Sequence, residues 1–236
     1  MTFWTLLGFG ADGWGDELLY GALVTLALAV CAVAVGLGIG AVLAMLKLQP
    51  FRLGRGLAHA ITLVFRGTPE FLIILIVFFG LDHAVNGLLA VLGSSTTVST
   101  PKFWAATLAL GLIFGVYASE VLKGAYQAVA PGHLEAADAL GMGWWLKLRL
   151  IRIPLMWRHA IPGLMNLWLV LLKDTSLAAV IALDELLRTA KVAGESEREP
   201  FLFFLAAGLL YLLMTAVSER LRQWLSQRTA LVTRTT

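Results

Sequence analysis

The chain has 236 residues, of which 59% are hydrophobic and 14% charged, and its mean hydropathy is +0.82. That balance excludes an ordinary soluble domain, where charged residues make up about a quarter, and the long uncharged runs leave no room for a separate soluble fold. One cysteine, Cys31, excludes an intrachain disulfide, and a net charge of +3 says little until the cations are mapped.

Residues 1–17 carry Asp12, Asp16 and Glu17 but no Lys or Arg, so they lack the basic start of a signal peptide and no cleaved leader is expected. Phe3, Trp4, Leu6, Leu7 and Phe9 form a short apolar patch suited to the membrane interface. Residues 18–46 contain no charge; these 29 residues would extend about 43 Å as a helix, enough for a first span. Gly36 and Gly40 form a small-xxx-small pair and predict close packing against another helix.

Lys47, Arg52 and Arg55 surround Pro50 in a basic turn. A second span is expected over 56–81, kinked where Arg66-Gly67-Thr68-Pro69-Glu70 intrudes, because Pro69 has no amide proton to donate and Gly67 weakens the same turn. Two readings of the charges stand: Arg66 pairs with Glu70 one turn on and secures the kink, or both serve transport, as charges inside a span commonly do. Residues 82–102 read as an external loop with the polar cluster 94–100 and a short interfacial helix over 84–92. The third span, 103–122, ends in Tyr117, Glu120 and Lys123; the last two, three apart, suit a local ion pair.

Residues 131–162 form a charged, proline-closed island between apolar segments. Glu135, Ala136 and Ala137 open a good helix former. Gly141 and Gly143 break it, and Ile153 and Pro154 close a basic amphipathic run: a rigid elbow of helix, break and helix. A fourth span over 153–173 borrows its inner end from this run, with Arg158 snorkelling. Beyond Lys173, Asp174, Thr175 and Ser176, the apolar stretch ending at Leu183 is too short to cross a bilayer and reads as a re-entrant or buried piece before Asp184 and Glu185. Asp184 has Arg188 one turn away. The fifth span is expected over 200–219. No Cys/His cluster suggests a metal, and no phosphate-binding Gly-rich loop suggests nucleotide.

The spacing of Glu135-Ala136-Ala137, Gly141 and Ile151-x-Ile153-Pro154 resembles the EAA loop of ABC importer permeases, with Ile153 where Leu is usual. The stretch from Phe65 to Leu72 and the residues around Tyr117, Glu120 and Lys123 are similar to two further signatures of the polar amino acid branch. So is the LKDTSL stretch at 172–177. Gly132-His133 and the run 191–200 resemble the histidine/lysine/arginine/ornithine permeases and their opine-importing relatives. The resemblance implies an all-α integral membrane protein with five transmembrane helices and the type I ABC importer fold, a single domain over 1–236. It places the loop 131–152 in the cytoplasm of an inner-membrane protein, which puts the N-terminus outside and the C-terminus inside. Twelve of the eighteen Lys and Arg residues then lie inside, in agreement with the positive-inside rule.

The resemblance further implies ATPase coupling through Glu135, Ala136, Ala137, Gly141, Ile153 and Pro154. A substrate path is expected along Arg66, Thr68, Glu70, Tyr117, Asp174, Ser176 and Asp184, for a polar amino acid, expected to be basic, or an opine. Partners are a cytosolic ATPase dimer that binds ATP and Mg, a second homologous permease rather than an identical copy, and a periplasmic solute-binding protein. No cofactor in this chain, no catalytic or metal-binding residue, no enzymatic activity and no nucleic acid partner are expected. An ATP-independent secondary transporter is the alternative, disfavoured by the lack of a visible internal repeat.

Overall fold

The computed structural model describes residues 3–10, 13–93 and 96–230; Ser94 and Ser95 of the polar cluster, and Asp12, lie outside them. The described residues contain helices and connecting turns but no strand. In chain order the helices are α1 (Phe3–Leu6), α2 (Gly15–Leu48), α3 (Arg52–Gly67), α4 (Glu70–Val91), α5 (Lys102–Gln127), α6 (Pro131–Ala139), α7 (Trp144–Lys147), α8 (Ile153–Asp174), α9 (Leu186–Glu197) and α10 (Pro200–Ala230). A π-helical turn, Leu148–Arg152, leads into α8, and a 3-10 helix, Thr175–Ile181, leaves it. Among the described residues, five helical stretches are long and apolar enough to cross a membrane: Gly15–Leu48, Glu70–Val91, Lys102–Gln127, Trp144–Ile181 and Pro200–Trp224.

The α2/α5 pair is the backbone of the molecule, and small residues let the two helices approach. A Cβ on Gly36 would lie 2.7 Å from the Gly111 carbonyl oxygen, and one on Gly115 would lie 2.8 Å from that of Gly36. Gly40 faces Gly115 in the same way, at 2.9 Å, so the glycine pair on α2 meets a matching pair on α5. Around this seam Leu28, Ala32, Ile74, Ala106, Leu110, Phe114 and Leu171 form the largest buried cluster. A second cluster joins α2 to α9 and α10 through Leu18, Leu186, Ala190 and Phe203, and it takes in Leu6 with Leu7 alongside. Those two residues therefore pack inward instead of lying in an interfacial patch, while Phe9 remains exposed.

Two expectations change. The segment 56–81 is not one kinked helix. Thr68 and Pro69 are extended, which ends α3 and starts α4 afresh. The second membrane-crossing stretch is consequently Glu70–Val91, and it absorbs residues that were read as external loop and interfacial helix. The loop that follows is pinned to α4, since Asn86 exchanges two hydrogen bonds with Val98 and Asp82 accepts from the Thr100 amide at 2.8 Å. Of the two readings of the stretch after Ser176, the buried one holds and the separate re-entrant one does not. The stretch prolongs α8 as a tighter 3-10 helix that buries Thr175, Ala178 and Ile181 and ends at Ala182 in the left-handed region, φ 57°. Lys102 donates to the Ala182 carbonyl oxygen at 3.1 Å and closes that end.

Candidate coupling elbow and polar path

The elbow is built by local backbone chemistry. Pro131 occupies the first turn of α6, where its missing N–H costs nothing. At the other end the Gly141 amide donates to Asp138 at 2.9 Å and the Met142 amide to Ala137 at 3.0 Å. This paired closure needs a left-handed residue, and Gly141 supplies it at φ +70°. Gly143, extended, then caps α7. An ion pair between Lys147 and Asp138 ties the two arms together, and the Arg152 guanidinium lies 3.8 Å from the centre of the Tyr126 ring, joining the π-helical turn to the end of α5.

Ala137 is buried, whereas Glu135, Ala136, Gly141, Ile153 and Pro154 are exposed. Leu140, Trp144 and Trp145 are exposed to 80%, 69% and 64%, which leaves an uncovered apolar surface at the bend. All six residues assigned to coupling therefore lie on one continuous structure running from α6 to the start of α8.

The polar residues of the middle segments fall into two groups and an outlier. Arg66, at the end of α3, does not form an ion pair with Glu70 among the described residues; its guanidinium lies 5.9 Å from the centre of the Tyr117 ring on α5. Thr68 turns its hydroxyl back to donate to Val64 at 2.8 Å. Glu70, in the first turn of α4, where a helix favours negative charge, faces the Asp174 carboxyl at the end of α8. Ser176 donates to the Lys173 carbonyl oxygen at 2.7 Å. Asp184 stands elsewhere: it accepts from Arg188 at 2.7 Å and borders a depression with Trp14, Asp16, Glu17 and Tyr20.

Two residues escaped sequence reasoning. Lys47, assigned to a basic turn, is 3% exposed, and its ammonium donates to Ser119 at 2.6 Å and to Glu120 at 2.7 Å. Glu120 thus pairs with Lys47 on a different helix in place of a local bond to Lys123. Glu185, passed over in favour of Asp184, is fully buried. It accepts from the Leu187 and Arg188 amides and from the Tyr211 hydroxyl at 3.0, 2.8 and 3.0 Å, and because Glu is not one of the usual N-cap residues the chain carried no local signal of this role. Burial, opposed by these hydrogen bonds, pushes its carboxyl above the ordinary value of 4.5. Among the described residues no group of three or more His, Cys, Asp or Glu is placed to hold a metal.

The family model for "Binding-protein-dependent transport system inner membrane component" matches residues 36–231. The nopaline transport system permease protein NocQ of Agrobacterium fabrum is 43% identical over 220 residues, covering 92% of each chain. The octopine permease OccQ of Rhizobium meliloti is 39% identical, again over 92% of each. The histidine/lysine/arginine/ornithine permease HisQ of Escherichia coli is 37% identical over 92% of this chain and 94% of its own. Among solved structures, an amino acid ABC transporter superposes with a TM-score of 0.77 at 27% identity, covering 91% of this chain and 95% of that one. The inward-facing methionine transporter MetNI shares the fold, with a TM-score of 0.72 at 13% identity over 92% and 97% of the two chains. Secondary transport, the alternative reading, is not supported by any of these. The chain belongs to the family of inner-membrane components of binding-protein-dependent transport systems, as the membrane-spanning permease subunit of an ABC importer.

Proposed function

We propose that this subunit carries a basic amino acid or an opine across the inner membrane, driven by a separate cytosolic ATPase dimer that binds ATP and Mg and docks on the elbow 131–152. The observation that carries the coupling part is the elbow itself. A glycine in the left-handed region holds Glu135 outward and leaves Leu140, Trp144 and Trp145 uncovered, which is the form of a surface awaiting a partner. The subunit holds no cofactor of its own and catalyses no reaction. It works beside a second, homologous permease and receives cargo from a periplasmic binding protein, with its N-terminus outside and its C-terminus inside.

The cargo part rests on Glu70 and Asp174. Two carboxyls brought face to face between helix ends, with Arg66 and Tyr117 nearby, offer an amino acid's ammonium and carboxylate groups partners of both signs where lipid offers none. Nopaline, octopine and arginine, carried by the relatives named above or by their kin, share a cationic guanidinium, which the paired acids favour. Asp184, already satisfied by Arg188, takes a lesser part.

ATP-driven uptake into proteoliposomes holding the full complex and binding protein tests both parts. Gly141→Val and Glu135→Lys should leave ATP hydrolysis running while uptake falls about tenfold or more, as expected for lost coupling between sites. Glu70→Gln and Asp174→Asn should lower uptake of arginine or nopaline more than that of glutamine. Normal uptake in the first pair rejects the docking role. Equal losses for all cargoes in the second reject the cationic preference.

A further inference from the structure

The inner end of α2 carries a buried cation that neither the elbow nor the polar path uses. Lys47 sits in the last turn of α2, where a helix favours positive charge, and its side chain is wholly removed from solvent. Its ammonium meets Ser119 and Glu120 of α5 at 2.6 and 2.7 Å, and Ser119 in turn donates to the Val116 carbonyl oxygen at 2.6 Å. Lys123 of α5 and His59 of α3 lie within electrostatic reach of Glu120. The pair is therefore the centre of a small charge cluster in which α2, α3 and α5 converge.

Its place in the chain decides what it can do. Glu120 stands seven residues before Gln127, the end of α5, or about 10 Å of helix from the start of the elbow. Just beyond it, Ala44 of α2, Leu122 and Ala125 of α5 and Ala160 of α8 pack into one buried cluster. Further out, the glycine seam holds α2 and α5 backbone to backbone. A push on the elbow enters α5 at its end. Whether α2 and α5 then move as one body or α5 bends alone depends on the contacts between Glu120 and that end. Small apolar contacts slide at little cost, whereas a buried ammonium held at once by a partly exposed carboxylate and a buried hydroxyl has one geometry and resists separation.

We propose that Lys47 and Glu120 are positioning residues for coupling: their ion pair fixes the elbow at a set angle to the α2/α5 body, so that elbow motion moves the two helices together. This rests on the docking role proposed for the elbow. The test uses the complete complex with partner permease, ATPase and binding protein, in a Cys31→Ser background. Lys47→Met should still assemble and hydrolyse ATP, with uptake per ATP reduced about tenfold, inside the range typical of coupling between sites. Lys47→Arg should largely restore it, and the exchanged pair Lys47→Glu with Glu120→Lys should recover more than either single change.

A second measurement needs no cargo. With spin labels at the exposed positions Met45 and Leu140, the nucleotide-free complex should give one narrow distance in the wild type and a broad or split distribution in Lys47→Met. Absence of uptake by the wild-type complex would count against the proposed function and leave the distance measurement to decide the latch. An unchanged distance distribution in Lys47→Met, unchanged uptake per ATP, or loss of assembly that the exchanged pair fails to repair overturns the proposal.

Discussion

At the scale of single residues, the largest departures from a plain membrane helix bundle are the buried charges Lys47 and Glu185, each met by hydrogen bonds to other helices. Glu185 is the clearest. Its carboxylate caps α9 through two backbone amides and reaches Tyr211 on α10 and Thr25 on α2, the last at 3.4 Å, so one side chain joins three helices. Glu185→Ala should cost about 2–3 kcal/mol, the sum of a lost cap and a stranded buried hydroxyl, and thermal unfolding of the detergent-solubilised complex would show it.

The pH dependence of Glu185 has a definite sign. Burial raises this carboxyl in the folded state above its ordinary 4.5, so the folded protein binds the proton more readily than the unfolded chain. Stability from this group therefore falls as pH rises through the raised value and is regained as pH falls towards 4.5. Glu185→Gln lacks that response, so lowering the pH over this window should raise the melting temperature of the wild type relative to the variant. A constant difference between the two would count against a raised carboxyl.

At the scale of elements, glycine serves two unrelated purposes that the sequence does not distinguish. Gly115 is needed because the Gly36 backbone occupies the space a side chain would fill, whereas around Gly38 nothing lies within 4 Å. Gly115→Ala should destabilise the complex by about 1–3 kcal/mol through overpacking, and Gly38→Ala should be neutral or stabilising by about 0.5–1 kcal/mol through backbone entropy. Melting temperatures of the two variants, compared side by side, check the assignment; equal effects would mean the α2/α5 seam is not close-packed. The break between α3 and α4 belongs to the same scale. Pro69 was visible in the sequence, but a proline can kink one helix or begin another. The extended backbone at Thr68 decides for two, and it moves the second apolar stretch along the chain from 56–81 to Glu70–Val91.

At the scale of the whole molecule, topology decides which end of the bundle can meet an ATPase. The proposed orientation puts the loop after α4 outside and the elbow inside. With Cys31 replaced, a cysteine at Thr97, an exposed described position, should react with an impermeant thiol reagent applied to the outer face of intact spheroplasts. One at Leu140 should react only after permeabilisation. The reverse pattern would turn the molecule over and remove the elbow from the ATPase.

The sequence alone determined the class, the number of apolar stretches though not the bounds of the second, and the elbow, because these depend on signals local to the chain: hydropathy over some twenty residues, and a glycine placed where a helix must end. It also identified Gly36 and Gly40 as packing residues, though not their counterparts Gly111 and Gly115. What only the tertiary structure decided is partnership. Lys47 and Glu120 are 73 residues apart, and Thr25 and Glu185 are 160 apart. Local spacing offered nearer partners, Lys123 for Glu120 and Arg66 for Glu70, and for Asp184 the nearer partner, Arg188, is the one found. The difference is burial. An exposed acid pairs with the base one turn away because water screens anything farther, whereas a charge drawn into the packed interior must be met by whatever group the fold brings opposite it. That opposition is a property of three helices at once, and no stretch of the sequence contains it.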